Sequence, residues 1–492
     1  MHGQFPAQIE ELARHKYHYS WESSRMLSLQ IDARKATPLV EQIVSGLSQQ
    51  IDSRLLMPGV RLPSIRTFSR EFDVSRFTVV AAYDRLVAMG YVQSRRGSGF
   101  FTVARETDPA PKTQAGAAEH AVDVRWLFRR YLEDNEGHLL AGGPWLPNDW
   151  MDEAGLRRNV RALMRLNGHD LVTYGNPKGY LPLREQVQLK LSGLGVAALP
   201  DQIVLTHGVS HALDLIIRQL LKPGDSVLVD DPGYYNFFGN LRSYGVKLHG
   251  VPRNPDGPDV AVLLKLAEKH KPKLYFTQSV LQNPTSSDMS PAVAFRVLQA
   301  AEKFDFLVVE DDVFCDLQAL PTQRLATMEQ LNRVIYVSSF SKTLSGSLRV
   351  GYLACRQDIA ESLTDMKMLS CITTSQFAER LVYHMLVEGH YRKFVEQLRG
   401  RLDAARNQTL KTMEELGMQV FVEPRSGMFL WARFPHIEDS AELSNPAFKK
   451  GIILAPGAVF RPNLEPSAWM RFNVSVFASP LLLGFLREVS DK

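Results

Sequence analysis

An α/β domain on a mainly parallel seven-stranded sheet, with a smaller C-terminal subdomain and a separate α+β module in front, is the fold the sequence predicts. Three observations carry this prediction. Short β-rich runs alternate with helix-length segments from residue 203 onward. A stretch poor in large apolar residues, Ala104 to about Asp123, interrupts the chain. The residues before it have a helical periodicity of their own. At 492 residues, 45% hydrophobic and 22% charged, the chain is too long for one core. It is also too rich in aromatic and branched side chains to be disordered. No apolar run reaches the ~18 residues a membrane span needs, and Met1-His2-Gly3-Gln4 does not open a signal peptide. No membrane association and a cytoplasmic setting are therefore expected. Cys315, Cys355 and Cys371 lack CxxC spacing, so neither a disulfide framework nor a metal site is indicated, and the cysteines read as packing residues. The expected boundaries are 31–103 for the first module, 104–123 for a linker and 124–492 for the α/β domain, whose smaller subdomain covers about 377–492. The residues before Ile31 add a short amphipathic piece.

In the first module, Leu39, Ile43, Leu47 and Ile51 recur at helical spacing over Pro38–Arg54, with Pro38 in the first turn, where its missing donor is harmless. Ser64 is a natural N-cap for a helix over Ile65–Phe72, and Ser75 for another from Arg76 to Met89. Asp73-Val74-Ser75 joins them tightly, which is the helix-turn-helix pattern. Gly90 stops the second helix. Tyr91–Ser94 and Phe100–Val103 then read as a β-hairpin with a basic, glycine-rich tip, a wing. From Arg61 to Val103 seven arginines face three carboxylates, a local net charge of +4 that equals that of the whole chain. Arginine reads guanine edges or binds phosphate, and a recognition helix offers its N-terminal residues to the major groove. The plainer alternative is a basic hairpin that packs on another domain.

This stretch resembles the GntR-type winged helix. The matching residues are Leu62-Pro63-Ser64-Ile65-Arg66, Val74-Ser75-Arg76-Phe77-Thr78-Val79, Ala82-Tyr83-Asp84-Arg85-Leu86, Gly90-Tyr91 and Arg96-Gly97-Ser98-Gly99. By that resemblance Arg66, Ser75, Arg76, Thr78 and Gly97 touch DNA.

The α/β domain places its strands at Ile203–Thr206, Val227–Val229, Val246–Val251, Leu274–Thr277, Leu307–Glu310, Val334–Ser338 and Val350–Ala354. Chemistry-bearing residues follow several of them. Lys342 comes just after an apolar strand, among hydroxyls, where a lysine can form a Schiff base with a carbonyl cofactor such as pyridoxal 5′-phosphate (PLP). Alone it would be an ordinary loop lysine. Asp311 ends another strand and could keep a pyridine nitrogen protonated, or simply cap a helix. Asn283 offers an amide suited to a phenolate oxygen. Thr206-His207-Gly208-Val209-Ser210 joins a strand to a helix N-terminus, a ready anion site. Tyr234 could stack on a flat ring or merely pack.

In order and spacing these groups resemble fold-type I PLP-dependent aminotransferases over roughly Val122–Arg487. Tyr174-Gly175-Asn176-Pro177-Lys178-Gly179, Leu183-Arg184 and Arg471 add to the match. The resemblance implies that Lys342 is the Schiff-base lysine, Asp311 the pyridinium partner, Asn283 the ligand of the ring oxygen and Tyr234 the stacking ring. It gives the phosphate to Val209, Ser210, Ser339 and Arg349, with Tyr174 reaching it from a second subunit. Arg471 takes the carboxylate of a substrate or effector, a role its bidentate donors suit; the alternative for Arg471 is a structural ion pair. The sequence departs from the family twice. Val313 and Phe314 stand where a tyrosine usually donates to the ring oxygen, and Asn283-Pro284-Thr285 is followed by Ser286 instead of glycine. A missing phenol donor should weaken turnover more than cofactor binding.

A GntR-type reader joined to an aminotransferase-like domain resembles the MocR (GabR-type) transcription regulators over nearly the whole chain. The implied protein is a homodimer carrying PLP as an aldimine on Lys342. It binds a double-stranded DNA operator with two half-sites, associates with the nucleoid when bound, and keeps at most residual aminotransferase-type activity. Its DNA binding would respond to an amine or amino acid effector, or to PLP itself. The alternative is an aminotransferase, converting amino acid to 2-oxo acid, with an accessory DNA-binding domain.

Overall fold

The computed structural model describes Leu29, residues 31–53, 55–95, 97–103, Leu127, Arg129, residues 131–132, 137–164, 172–319 and 322–491. The expected linker and all but one of the residues before Ile31 lie outside these. The chain divides into two units, Met1–Thr113 and Gln114–Lys492.

In the first unit, α1 (Leu39–Asp52) buries Ile43, Val44, Leu47 and Ile51 on one face. Pro38 is not inside the first turn, as its sequence position suggested. Its ψ of 143° makes it the residue before the helix, where a ring-locked φ costs nothing. α2 (Ile65–Glu71) and α3 (Arg76–Ala88) start on Ser64 and Ser75, whose hydroxyls accept from Thr67 N at 3.1 Å and Thr78 N at 3.0 Å. Each cap satisfies an N–H that the first turn leaves unpaired. Phe68, Val79, Tyr83 and Leu86 are fully buried where these helices meet. Tyr83 Oη donates to Pro63 O at 3.0 Å. Gly90, at φ +73°, reverses the chain into β1 (Val92–Arg95) and β2 (Gly99–Thr102), paired antiparallel with Arg95 opposite Gly99.

The second unit opens with α4 (Glu153–Leu163) and α5 (Leu181–Gly193). Its sheet strands are then interleaved with helices: β3 (Ile203–Thr206), α6 (Gly208–Leu220), β4 (Ser226–Asp231), α7 (Tyr235–Ser243), β5 (Lys247–Asn254), β6 (Gly257–Pro258), α8 (Val260–His270), β7 (Leu274–Thr277), α9 (Pro291–Phe304), β8 (Leu307–Asp311), α10 (Leu325–Glu329), β9 (Val334–Ser339) and β10 (Gly351–Ala354). The strand order is β3-β10-β9-β8-β7-β4-β5-β6. The five strands from β9 to β5 are parallel, while β10 runs against both β3 and β9. All seven strands expected from the sequence are present. The eighth, β6, is a two-residue antiparallel return on β5, too short to leave a periodic signal.

Neighbouring residues along each strand point to opposite faces, and helices cover both. Leu205, Leu228, Tyr275, Val308, Tyr336 and Tyr352 face a core shared with α5, α8 and α9. Val204, Val229, Phe276, Val309, Val337 and Leu353 face α6 and, beyond β10, α11 (Gln357–Cys371). Burial on both faces explains the continuous apolar runs. α12 (Gln376–Val387) packs into the first core through Leu381 and Val382, whereas α13 (His390–Glu415) sends Leu398 and Leu402 into a second core, that of a smaller unit. That unit adds β11 (Gln419–Val420), β12 (Phe429–Arg433), α14 (Ser444–Lys449), β13 (Ala455–Pro456), β14 (Met470–Asn473), α15 (Val474–Phe477) and α16 (Pro480–Ser490). Its antiparallel sheet, β11-β12-β14-β13, packs under α13 and α16, with Ala141 and Leu146 from far upstream in the same core.

Candidate functional site

In the first unit, Ser75, Arg76 and Thr78 form the opening turn of α3, Arg66 lies in the first turn of α2, and Gly97 sits at the hairpin tip with φ +74°. Arg66, Ser75, Arg76 and Gly97 are exposed and Thr78 is half-buried. Thr78 Oγ1 shares a 2.8 Å hydrogen bond with Ser75 Oγ. This helix start is therefore held by its own side chains, and its arginine is free to reach outward.

In the second unit the predicted residues gather because of the sheet direction. β3, β4, β7, β8 and β9 all run the same way, so the loops that follow them leave from one edge, where open α/β sheets place ligands. One cavity there is lined by Val209, Ser210, Tyr234, Asn283, Asp311, Ser339, Lys342 and Arg349, together with Gln278, Val313, Phe314, Ser341 and Pro144. It opens into a cleft of 1310 Å³. Two predicted residues do not line it. Tyr174 is 80% exposed and lies away from the cavity of its own chain, and Arg471 is fully buried behind it.

Lys342 Nζ donates to Pro144 O at 2.7 Å and sits 5.9 Å from the Trp145 ring and 5.8 Å from the Phe314 ring. Loss of water around the ammonium, and then the Arg471 charge, push its pKa down to about 8, against the pull of Asp311. Asp311 is buried, which pushes its pKa up to about 7 despite the 3.2 Å bond from Val313 N. Its Oδ2 accepts from Gln278 Nε2 at 2.9 Å, and Gln278 Oε1 accepts from Asn283 N at 2.8 Å. One glutamine thus fixes both groups predicted to meet a pyridine ring. Asn283 Oδ1 accepts from Arg471 Nη1 at 2.6 Å, which leaves its amide N–H₂ end for the cavity.

The anion side is built by close approach. His207 caps α6 without its side chain; instead its N–H donates to His211 Nδ1 at 3.1 Å. The helix start at Val209 and Ser210 thus faces the cavity without a capping side chain. A Cβ on Gly208 would lie 2.7 Å from the Arg349 guanidinium, and one on Gly351 would lie 2.7 Å from Gly208 Cα. Arg349 itself holds φ +52°, a conformation rare for a side-chain-bearing residue, of the kind that collects at functional sites. Ser341 Oγ is buried with no hydrogen-bond partner among the described residues.

Gln278 had no sequence signal, since nothing in the apolar run ending at Thr277 says that the next residue turns inward. The segment 139–146 likewise carries little sequence signal. Gly142 O accepts from Arg471 Nε and Nη2, at 3.2 and 2.7 Å, and Gly143 O and Trp145 O accept from Asn473 Nδ2. The Gly142-Gly143 pair was its only cue, a sign of close backbone approach.

Residues 146–479 match the family model for aminotransferase class I and II, and residues 39–102 match that for bacterial regulatory proteins of the gntR family. The uncharacterized HTH-type transcriptional regulator YdfD of Bacillus subtilis is 28% identical over 87% of this chain and 90% of its own length. The probable rhizopine catabolism regulatory protein MocR of Rhizobium meliloti is 26% identical over 87% of this chain and 88% of its own. Among solved structures, the kynurenine aminotransferase of Pyrococcus horikoshii is 25% identical with a TM-score of 0.68, over 75% of this chain and 93% of that one.

Proposed function

Because the chain belongs to the aminotransferase class I and II family and carries a gntR-family helix-turn-helix domain, as MocR-type transcription regulators do, we propose that occupancy of the Lys342 cavity sets how tightly the protein holds DNA. The observation that carries this reading is the meeting of Lys342, Asp311, Asn283, Tyr234 and the α6 N-terminus in one cavity of a chain that also carries a DNA reader.

The cavity's donors suit PLP. The Ser341 hydroxyl, without a partner among the described residues, the uncapped helix start and Arg349 suit a phosphate, and a buried carboxylate suits a protonated pyridine. When bound, PLP supplies an aldehyde that exchanges the lysine for a ligand amine. Lys342 Nζ is the group that would attach it, and a pKa near 8 leaves a useful fraction of neutral amine at physiological pH. Val209, Ser210, Ser339 and Arg349 would hold the phosphate, with Tyr174 of a second copy. Asn283 Nδ2 would meet the ring oxygen and Tyr234 would cover the ring face. Asp311 would hold a proton on the ring nitrogen. Phe314 brings an apolar ring where a phenol would have donated, which favours recognition over turnover. Arg471 would take an effector's carboxylate in exchange for Gly142 O.

On the reader, Arg66, Ser75, Arg76, Thr78 and Gly97 would contact phosphates and base edges. A homodimer would address two half-sites of a double-stranded operator, in the cytoplasm and on the nucleoid. The test is binding to the duplex upstream of the protein's own gene, with and without PLP and with a panel of amines and amino acids. Affinity that changes with PLP or an amine, and ceases to change in Lys342→Ala, is the expected result. The aminotransferase reading draws on the Arg471–Asn283 pairing, and rapid transamination without an effect on DNA binding would favour it.

A further inference from the structure

α3 turns an apolar strip outward at the end where a recognition helix meets bases. Phe77 is 88% exposed and Val80 36% exposed, and Ala81 is also exposed. These positions are i, i+3 and i+4, so they share one face. The opposite face carries the core, with Val79, Ala82, Tyr83 and Leu86 fully buried. Phe77 therefore contributes nothing to packing within its own unit, and a phenyl ring held in water is unfavourable unless something covers it. The charge around the strip identifies the cover. Arg61, Arg66, Arg70, Arg76 and Arg95 are all exposed, and no described carboxylate pairs with them, whereas Arg85 pairs with Glu41 at 3.8 Å. An apolar strip among unpaired arginines complements a polyanion that carries apolar groups between its phosphates. In duplex DNA those groups are the thymine 5-methyls of the major groove.

We propose that Phe77 and Val80, with Ala81 beside them, form a thymine-methyl-reading surface, so that each operator half-site places thymines under the first two turns of α3. This rests on the DNA-binding reading of the same module. Arg76 and the Ser75–Thr78 turn position the helix on the backbone, and Phe77 supplies discrimination by burying a methyl group that cytosine and uracil lack. Val80, one turn on, covers a neighbouring methyl.

The test uses the full-length protein. Duplexes are selected from a random-sequence library, and the best site is resynthesised with deoxyuridine in place of thymidine, which removes only the methyls. The wild type should lose about fourfold in affinity per contacted methyl. Phe77→Ala should lose a similar factor on the thymidine duplex and then respond to deoxyuridine by less than twofold at the positions it covered. Val80→Ala should desensitise a different position. Phe77→Ala should unfold at the wild-type temperature, because Phe77 is 88% exposed and not a core residue. The proposal is overturned if the selected sites show no thymine enrichment, or if Phe77→Ala is as sensitive to deoxyuridine as the wild type. Recovery of no duplex at all would overturn the DNA-binding reading with it.

Discussion

Lys342 Nζ sits out of water, with Pro144 O as its hydrogen-bond acceptor and two aromatic rings within 6 Å, the setting our proposal needs of the lysine that attaches PLP. The neutral amine is the nucleophile, and a lowered pKa raises its fraction at any pH below the ordinary lysine value. The rate at which the protein captures PLP, read from growth of a visible absorbance band, should therefore rise with pH around a midpoint near 8 instead of near the usual lysine value. Lys342→Ala should give no band at any pH. Gln278 tests a different link. Its replacement by leucine removes the donor to Asp311 Oδ2 and the acceptor of Asn283 N–H. A buried bond to a charged group accounts for about tenfold or more in affinity. We expect the PLP dissociation constant to rise by at least that factor. The pKa of Asp311 should climb further, so the bound ring holds its proton less well and the band's pH profile shifts. An unchanged spectrum and affinity would remove Gln278 from the site.

At the scale of elements, close approach decides what the strand-to-helix junction can hold. Gly351 pairs with Thr206 on one side and Ser339 on the other, and it lies against Gly208 at the start of α6. Gly351→Ala would push β10 against that turn and displace Val209 and Ser210. The expected result is a folded protein that has lost most of its PLP affinity, measured by titration of the visible band alongside circular dichroism. In the reader, Ser75→Ala removes the cap of α3, at a cost of about 1 kcal/mol. The same change removes a predicted DNA contact. Thermal unfolding should show a modest loss, while operator affinity should fall by more than the stability change explains.

For the whole molecule, the proposed function is a coupling of cavity occupancy to DNA binding, and coupling demands that a ligand prefer one DNA-binding state over the other. If the protein is a dimer with two readers, its operator has two half-sites with a fixed helical phase. Inserting about five base pairs, half a helical turn, between them should lower affinity at least tenfold, whereas inserting about ten should restore most of it. Equal affinity for the two spacings, in a mobility-shift titration at fixed salt, would mean that each reader acts alone.

Much of this was legible in the primary structure because it depends on neighbours in the chain. Ser64 and Ser75 precede helices they cap, and the caps form. Six of the sheet's seven main strands announced themselves as apolar runs because both their faces are buried, whereas β5, with its pattern of exposed and buried residues, showed only a shorter one. Lys342, Asp311 and Asn283 follow strand ends, and parallel strands bring strand ends to one edge. What the chain order could not show is set by contacts across long sequence separations. Gln278 joins Asp311 to Asn283, the segment 139–146 lends its carbonyls to Arg471 and Asn473, and α12 chooses the sheet's core over the smaller one. The sequence by itself determined which elements form and which chemistry they carry, since caps, periodicity and strand ends are local. Only the tertiary structure decided which side chains share the cavity, and that Arg471 lies behind it with its donors occupied, because those outcomes depend on groups hundreds of residues away.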